Sequence, residues 1–266
     1  MQQPPRPPQP DGQPAGPGRP GRPARGRSGP TRTFGAPAAS LTALMALLTV
    51  VTGLVEAASL LALGTVFTGM QTGNVLFLAF GTLGEGGLSV VGPATSLGAF
   101  VLGALAAARL ERRLEAERHR WFVIALLIEA VLVAGAAVTA WDLPPVRSSP
   151  TGRHLATIAL LAATMGMRNV TAMRVSVPDM PTTLATRAMT AFVAGSALGH
   201  DPAFGHARGA TARRAGSVVA MFAGGLAGAL CIHRGWPLQS LLLTAAALSL
   251  LAALARVPQP RLATTR

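Results

Sequence analysis

Two acidic side chains and one polar cluster stand inside sequence otherwise suited to hydrocarbon, and these are the residues able to do chemistry. Glu56 falls well within the apolar run Ser40–Leu63, and Glu129 lies midway between Trp121 and Trp141 in another. A carboxyl group so placed is costly unless it is paired, protonated or wetted, so it must face a bundle interior. The chemistry open to it is proton or cation binding. The plainer role is a structural partner, with Arg168 and Arg187 as the candidate cations for Glu56.

The polar cluster is Phe67-Thr68-Gly69-Met70-Gln71-Thr72-Gly73-Asn74-Val75, with apolar sequence on both sides. Thr68, Gln71, Thr72 and Asn74 offer hydroxyls and amides, while Gly69 and Gly73 let the backbone open or approach a neighbour. Such a segment can present carbonyls and helix ends to an ion or polar solute. The same groups can simply pack two helices. A diluted copy follows at Thr182-Thr183-Leu184-Ala185-Thr186-Arg187-Ala188-Met189, where Arg187 and Ala188 stand at the Gly73 and Asn74 positions. The expected solute or ion pathway is therefore Glu56, Thr68, Gln71, Thr72, Gly73, Asn74, Asn169, Thr182 and Thr186, with Glu129, Arg168 and Arg187 as charge partners.

Other chemistries find little support. No nucleophile–base motif, phosphate loop or metalloprotease helix can be read, so neither an enzyme nor a cofactor is expected. Cys231 is the only cysteine, which excludes intramolecular disulfides and cysteine-based metal clusters. His200 and His206 flank Asp201 without matching an established metal signature, and they are read as a solvated loop.

The elements that must position these residues are apolar helices. Half of the residues are hydrophobic and 12% are charged, against about a quarter in soluble domains. Eight apolar segments can be drawn: Ser40–Leu63, Val66–Leu83, Leu88–Ala108, Trp121–Trp141, His154–Met173, Thr183–Gly199, Ala215–Ile232 and Trp236–Ala255. Trp121 and Trp141 are spaced like two aromatic belts. The reading is an all-α polytopic membrane protein with one membrane domain over 38–257. A disordered Pro- and Arg-rich tail (1–37) precedes it and a short tail (258–266) follows.

The net charge of +13 comes from arginine alone, for no lysine is present. These arginines sit mainly in the tail and between apolar runs. They read as topology determinants and contacts to anionic lipid rather than to nucleic acid. If all eight segments crossed, the stretch 109–120, with Arg109, Arg112, Arg113, Arg118 and Arg120, would lie opposite the tail. That breaks the positive-inside rule. If the two motif segments are interrupted or re-entrant, six crossings remain, and both termini lie on the cytoplasmic face of the inner membrane.

The halves, about 40–141 and 154–255, match in order. Thr68-x-x-x-Thr72 lines up with Thr182-x-x-x-Thr186, and Gly53-x-x-Glu56 with Gly166-x-x-Asn169. Ala99-x-x-x-Gly103 then aligns with Gly224-x-x-x-Gly228, and Trp121 with Trp236. Three crossings per half make the repeat an inverted one, a recurring transporter design. The small-residue faces at Ala99, Gly103 and Ala107 and at Gly224 and Gly228 suit packing within the monomer, and also an oligomer interface.

Through Gly53-Leu54-Val55-Glu56 and Leu63 to Val75, the chain resembles the YoaK-like membrane proteins of unknown function, the DUF1275 or UPF0700 family. That family has a glycine and an acidic residue before a Thr-Gly-Asn motif, then a Met-Gly-x-Gln-Asn segment leading to a Thr-rich stretch. Here these are Thr72-Gly73-Asn74, Met165-Gly166-Met167-Arg168-Asn169 and Thr182–Thr190. The acid is Glu56 where Asp is usual, Arg168 replaces the Gln, and Arg187 replaces a small residue. The resemblance covers roughly 40–255 and implies a polytopic membrane protein without an assigned activity. Two readings stay open: a secondary transporter or channel for a small solute or ion, or a non-transporting scaffold or sensor that uses the Arg-rich tail.

Overall fold

A computed structural model of the chain describes residues 37–117, 120–147, 149–175, 185–195 and 209–257. Among them the regular structure is helical: α1 (Pro37–Ala62), α2 (Gln71–Thr82), α3 (Val91–Ala116), α4 (Trp121–Thr139), α5 (Gly152–Val175), α6 (Ala185–Ala194), α7 (Ala210–His233) and α8 (Leu238–Arg256). The two tails, Thr182 and the stretch with His200, Asp201 and His206 lie outside the described residues, as does the Arg187 side chain.

Six helices, α1, α3, α4, α5, α7 and α8, are long and apolar enough to cross a membrane. With 12 residues, α2 extends about 18 Å at 1.5 Å per residue, and α6 has only 10 residues. Over the described residues, neither is long enough to cross a hydrocarbon core of about 30 Å. The chain is thus a multi-pass all-α membrane protein in which both motif segments hold short helices. Of the six, α1 is the most enclosed, whereas α3 and α7 are the most exposed. Their outward side chains, such as Val101, Leu102 and Leu105 on α3 and Phe222 and Leu226 on α7, are apolar. Against lipid tails that surface is well solvated.

The packing has a two-fold pattern. The long α1–α7 contact has its counterpart in α5–α3, α4–α5 in α8–α1, and α2–α3 in α6–α7, while α4 packs on α8. Each pairing survives when α1–α4 are exchanged for α5–α8. The two long contacts are glycine crossings. A Cβ on Gly103 would meet the Ala163 carbonyl oxygen at 2.1 Å, and one on Gly224 would meet that of Val50 at 2.1 Å. In the facing helices, a Cβ on Gly166 would lie 2.1 Å from the Phe100 oxygen, and one on Gly53 2.5 Å from the Met221 oxygen.

These contacts shift one correspondence expected from sequence. Gly53 and Gly166 are equivalent as aligned, but Gly103 matches Gly224 and not Gly228, one helical turn away from the sequence alignment. The shift sets Ser96 against Ser217, both buried. In α4 and α8 the burial patterns coincide with Leu126 on Leu242 and Ala136 on Ala252, which sets Glu129 against Ala245. Trp121 is only 2% exposed and lies beneath Arg174, 5.5 Å from ring centroid to guanidinium, so it is a core residue and not part of an aromatic belt.

Two further differences concern charge. The stretch 109–120 is helical as far as Ala116, so Arg109, Arg112 and Arg113 sit on α3 and not in a loop. Arginines also finish helices whose last carbonyls lack partners. Arg153 donates to the carbonyls of Thr139 and Trp141 at the end of α4, Arg214 to Ala191 near the end of α6, and Arg120 to Val257 past α8.

Candidate functional site

Along α1 and into the first residue after it, Met45, Thr49, Thr52, Glu56, Ser59 and Leu63 recur at alternating intervals of four and three, one inward seam. Thr49 and Thr52 return their hydroxyls to the carbonyls of Met45 and Leu48, at 2.8 and 3.0 Å. Those bonds satisfy two polar groups without any partner helix. Ser59 donates to the Val66 carbonyl at 2.7 Å, beyond the end of α1. Glu56 is 5% exposed and takes its donors from the same region.

That region, residues 63–70, is a break between α1 and α2. The Thr68 hydroxyl donates to Glu56 Oε1 at 3.1 Å, the Gly69 amide donates to the same oxygen, and the Thr68 amide reaches Oε2 at 3.3 Å. Gly69 is required for closeness, since a Cβ there would stand 3.0 Å from Oε1. Glu56 thus collects amides that the break leaves outside any helix. Among the described residues no cation pairs with it, because Arg168 pairs elsewhere.

Asn74 holds the other side of the break. Its Oδ1 accepts from the Phe67 amide at 2.9 Å and its Nδ2 donates to the Phe67 carbonyl at 2.6 Å, so one side chain satisfies both backbone groups of one residue. Nδ2 also reaches Gln71 Oε1 and Ser96 Oγ, at 2.7 and 3.1 Å. Ser96 in turn donates to the Phe67 carbonyl at 2.6 Å, which ties the break to α3. Gln71 donates to the Thr68 carbonyl at 2.7 Å. At Gly73 a Cβ would enter the Phe67 ring, 2.6 Å from its nearest atom.

Gly73 and Asn74 of the Thr-Gly-Asn triplet therefore fix the conformation that delivers the Thr68 and Gly69 amides to Glu56. Replacing Asn74 by Ala should strand the Phe67 amide, at about 1–3 kcal/mol for an unpaired group, while Ser96 keeps the carbonyl. The expected result is a clearly lowered thermal midpoint in detergent, while Thr72→Ala, at an exposed neighbour, leaves it in place. Equal midpoints for the two variants would show that the clamp is dispensable.

The break contributes to two cavities. One, of about 270 Å³, is a groove between α1 and α7 bordered by Gly53, Glu56, Phe67, Met70, Met221 and Gly225, among others. The second, of about 170 Å³, lies by Leu63–Val66 and includes Ser89 and Arg147. Glu56 thus touches a cavity while its own hydrogen bonds run into the break.

A second buried charge cluster joins four helices. Arg168 on α5, 1% exposed, donates from Nε to Glu129 Oε2 on α4 at 2.9 Å. One terminal nitrogen reaches the Leu48 carbonyl and Thr52 Oγ1 on α1, at 3.2 and 3.3 Å, and the other reaches Ser249 Oγ on α8 at 3.1 Å. Sequence offered Arg168 as a partner for Glu56; the structure gives it to Glu129. Glu129 Oε1 is buried without a hydrogen-bond partner.

A third cluster was missed by sequence reasoning. Glu111 on α3 is fully buried, accepts from the Thr171 hydroxyl, and lies 3.2 Å from Arg174 Nε. Arg174 also binds Glu115 at 2.7 Å. The available signal was the four-residue spacing Gly103, Ala107, Glu111, which continues the buried face of α3.

Among the remaining expected site residues, Thr72 and Thr186 are exposed, and Asn169 is half-buried at the α5 position equivalent to Glu56. Thr68, Gln71, Gly73 and Asn74 gather around the break, and Thr186 is on the separate helix α6. A family model described as a protein of unknown function (DUF1275) matches residues 44–255. No curated protein and no solved structure matches the chain.

Proposed function

The chain belongs to the DUF1275 family, and from that premise we propose that it is a secondary transporter or channel for a small solute or ion, with Glu56 as its charge or coupling site. The observation that carries this reading is the placement of Glu56. It lies in a membrane-spanning helix, is held by the amides of a helix break, and borders a cavity. A carboxyl group kept only for structure is better served by a cation, as Glu129 is by Arg168. Interrupted helices beside a mid-membrane charge are a recurring way to bind a solute.

The two-fold pattern of helix pairings supports an inverted duplication, with three crossings in each half and the motif helices α2 and α6 as its interrupted elements. In such a duplication one half can rock against the other around the α1–α7 and α3–α5 crossings, opening a site to either side. Arg112 and Arg113, on the end of α3 that follows an even number of crossings, favour a cytoplasmic position for that end and for both termini.

Flux is the test. Proteoliposomes carrying a pH-sensitive dye, challenged with sodium, potassium and organic-cation gradients, should show a protein-dependent signal. Glu56→Gln should reduce that signal at least tenfold, to near the rate of empty vesicles. An equal signal from Glu56→Gln would remove Glu56 from the mechanism, and none from the unaltered chain would favour a scaffold or sensor.

A further inference from the structure

The groove between α1 and α7 has an unusual lining for an ion site. Of the described side chains that border it, Glu56 alone bears oxygen; the rest include Ala57, Leu60, Leu61, Phe67, Met70 and Met221. A hard metal cation takes about six or more oxygens, and the nearby carbonyls are already committed. Phe67 O is held by Asn74 and Ser96, Thr68 O by Gln71, and Met70 O by the Gly73 amide.

We propose that this groove binds a lipophilic organic cation, a substituted or quaternary ammonium whose charge sits against Glu56 and whose apolar part fills the space between α1 and α7. The proposal rests on the transport reading of Glu56 and names its substrate class. Charge complementarity selects the occupant: among the described residues the wall holds one carboxyl group and no basic side chain. Three donors already occupy Glu56, two on Oε1 and one on Oε2, of about four acceptor positions on a carboxylate. Little room is left for a strongly hydrogen-bonding partner, whereas a quaternary cation needs only the charge.

The apolar lining suits the same class. Phe67, stacked on Phe77 with ring centroids 5.7 Å apart, adds an aromatic ring to the wall, and Met70 and Met221 are polarizable and adaptable. The volume of about 270 Å³ falls just below the usual range of ligand pockets, about 300–1,000 Å³, and suits a small ligand of one ring and an ammonium group. Leu61 on the rim is exposed, and Phe222 and Leu226 beside it on α7 face outward. A cation that partitions into the bilayer can therefore enter sideways without crossing a polar vestibule.

The probe is radiolabelled benzyltrimethylammonium, measured by equilibrium dialysis against the full chain in nanodiscs of zwitterionic lipid, with empty nanodiscs subtracted. Saturable binding of one cation per chain is expected. The uncharged isostere neopentylbenzene and millimolar sodium should fail to compete. Glu56→Gln should weaken binding at least tenfold. Gly225→Leu should do the same while leaving Glu56 intact, because a Cβ at Gly225 meets nothing within 4 Å and the new side chain enters open space. That second variant keeps the test valid if loss of the Glu56 charge disturbs folding.

Absence of saturable binding to the unaltered chain, or full binding in either variant, would overturn the proposal. Glu56-dependent flux of an inorganic ion without benzyltrimethylammonium binding would overturn it too, yet leave the transport reading standing.

Discussion

Arg168→Met is expected to cost more stability than any other single change in the charged interior. The side chain is 1% exposed and binds groups on α1, α4 and α8 at once. Methionine is similar in length and fully apolar, so the bulk survives and the charge does not. Glu129 is then buried with neither oxygen paired, since Oε1 lacks a hydrogen-bond partner already. Removing one partner of a buried ion pair costs about 3–5 kcal/mol in soluble proteins. The variant should elute as aggregate, or melt well below the unaltered chain in the same detergent.

The second half of that prediction is a rescue. Arg168→Met combined with Glu129→Leu removes both charges and should recover most of the lost midpoint, because a well-packed apolar pair often replaces a buried ion pair at little cost. Failure of the rescue would mean that the bonds to Leu48, Thr52 and Ser249 carry the stability, and the Glu129 pair little of it. A single variant as stable as the unaltered chain would overturn the cluster's structural role altogether. If the double variant folds and still moves its solute through Glu56, structure and transport are divided between Glu129 on α4 and Glu56 on α1, where the Arg168 contact at Thr52 lies one helical turn before Glu56.

The apolar segments were legible because run length against bilayer thickness is a one-dimensional quantity, though it gave eight of them. The interruption at α2 was legible too, through the arginines of 109–120, which under eight crossings would break the positive-inside rule. Partner choice was not. Glu56 and Arg168 face each other plausibly on paper, but Arg168 lies one residue before the α5 position equivalent to Glu56, on another face of the helix. That rotation takes it to Glu129, thirty-nine positions away in sequence. Burial of Glu111 was hidden by its company: a string of arginines reads as a loop, whereas α3 continues through it and only one face is charged and wet. The glycine register failed for a related reason. Small residues recur every four positions on α3 and α7, so an alignment can slip by one turn without penalty, and only the contact with Val50 or Ala163 fixes it.

That contact makes Gly224 the second position of large effect. A Cβ there would lie 2.1 Å from the Val50 carbonyl oxygen and 2.8 Å from its carbon, so the α1 backbone must move. Overpacking of this kind costs about 1–3 kcal/mol, more than the roughly 0.5–1 kcal/mol by which alanine exceeds glycine in a helix. Gly224→Ala should therefore lower the thermal midpoint. On the same helix, Gly216→Ala should hold or raise it, because a Cβ at Gly216 meets nothing within 4 Å. The two-fold packing adds a sharper condition: Gly103→Ala, pressed 2.1 Å from the Ala163 oxygen, should lose stability in the same direction and to a similar extent. A loss at Gly103 without one at Gly224 would mean that only α3–α5 is a fixed crossing. The halves would then not move as equivalent units, and a rocking mechanism around both crossings would have to be given up.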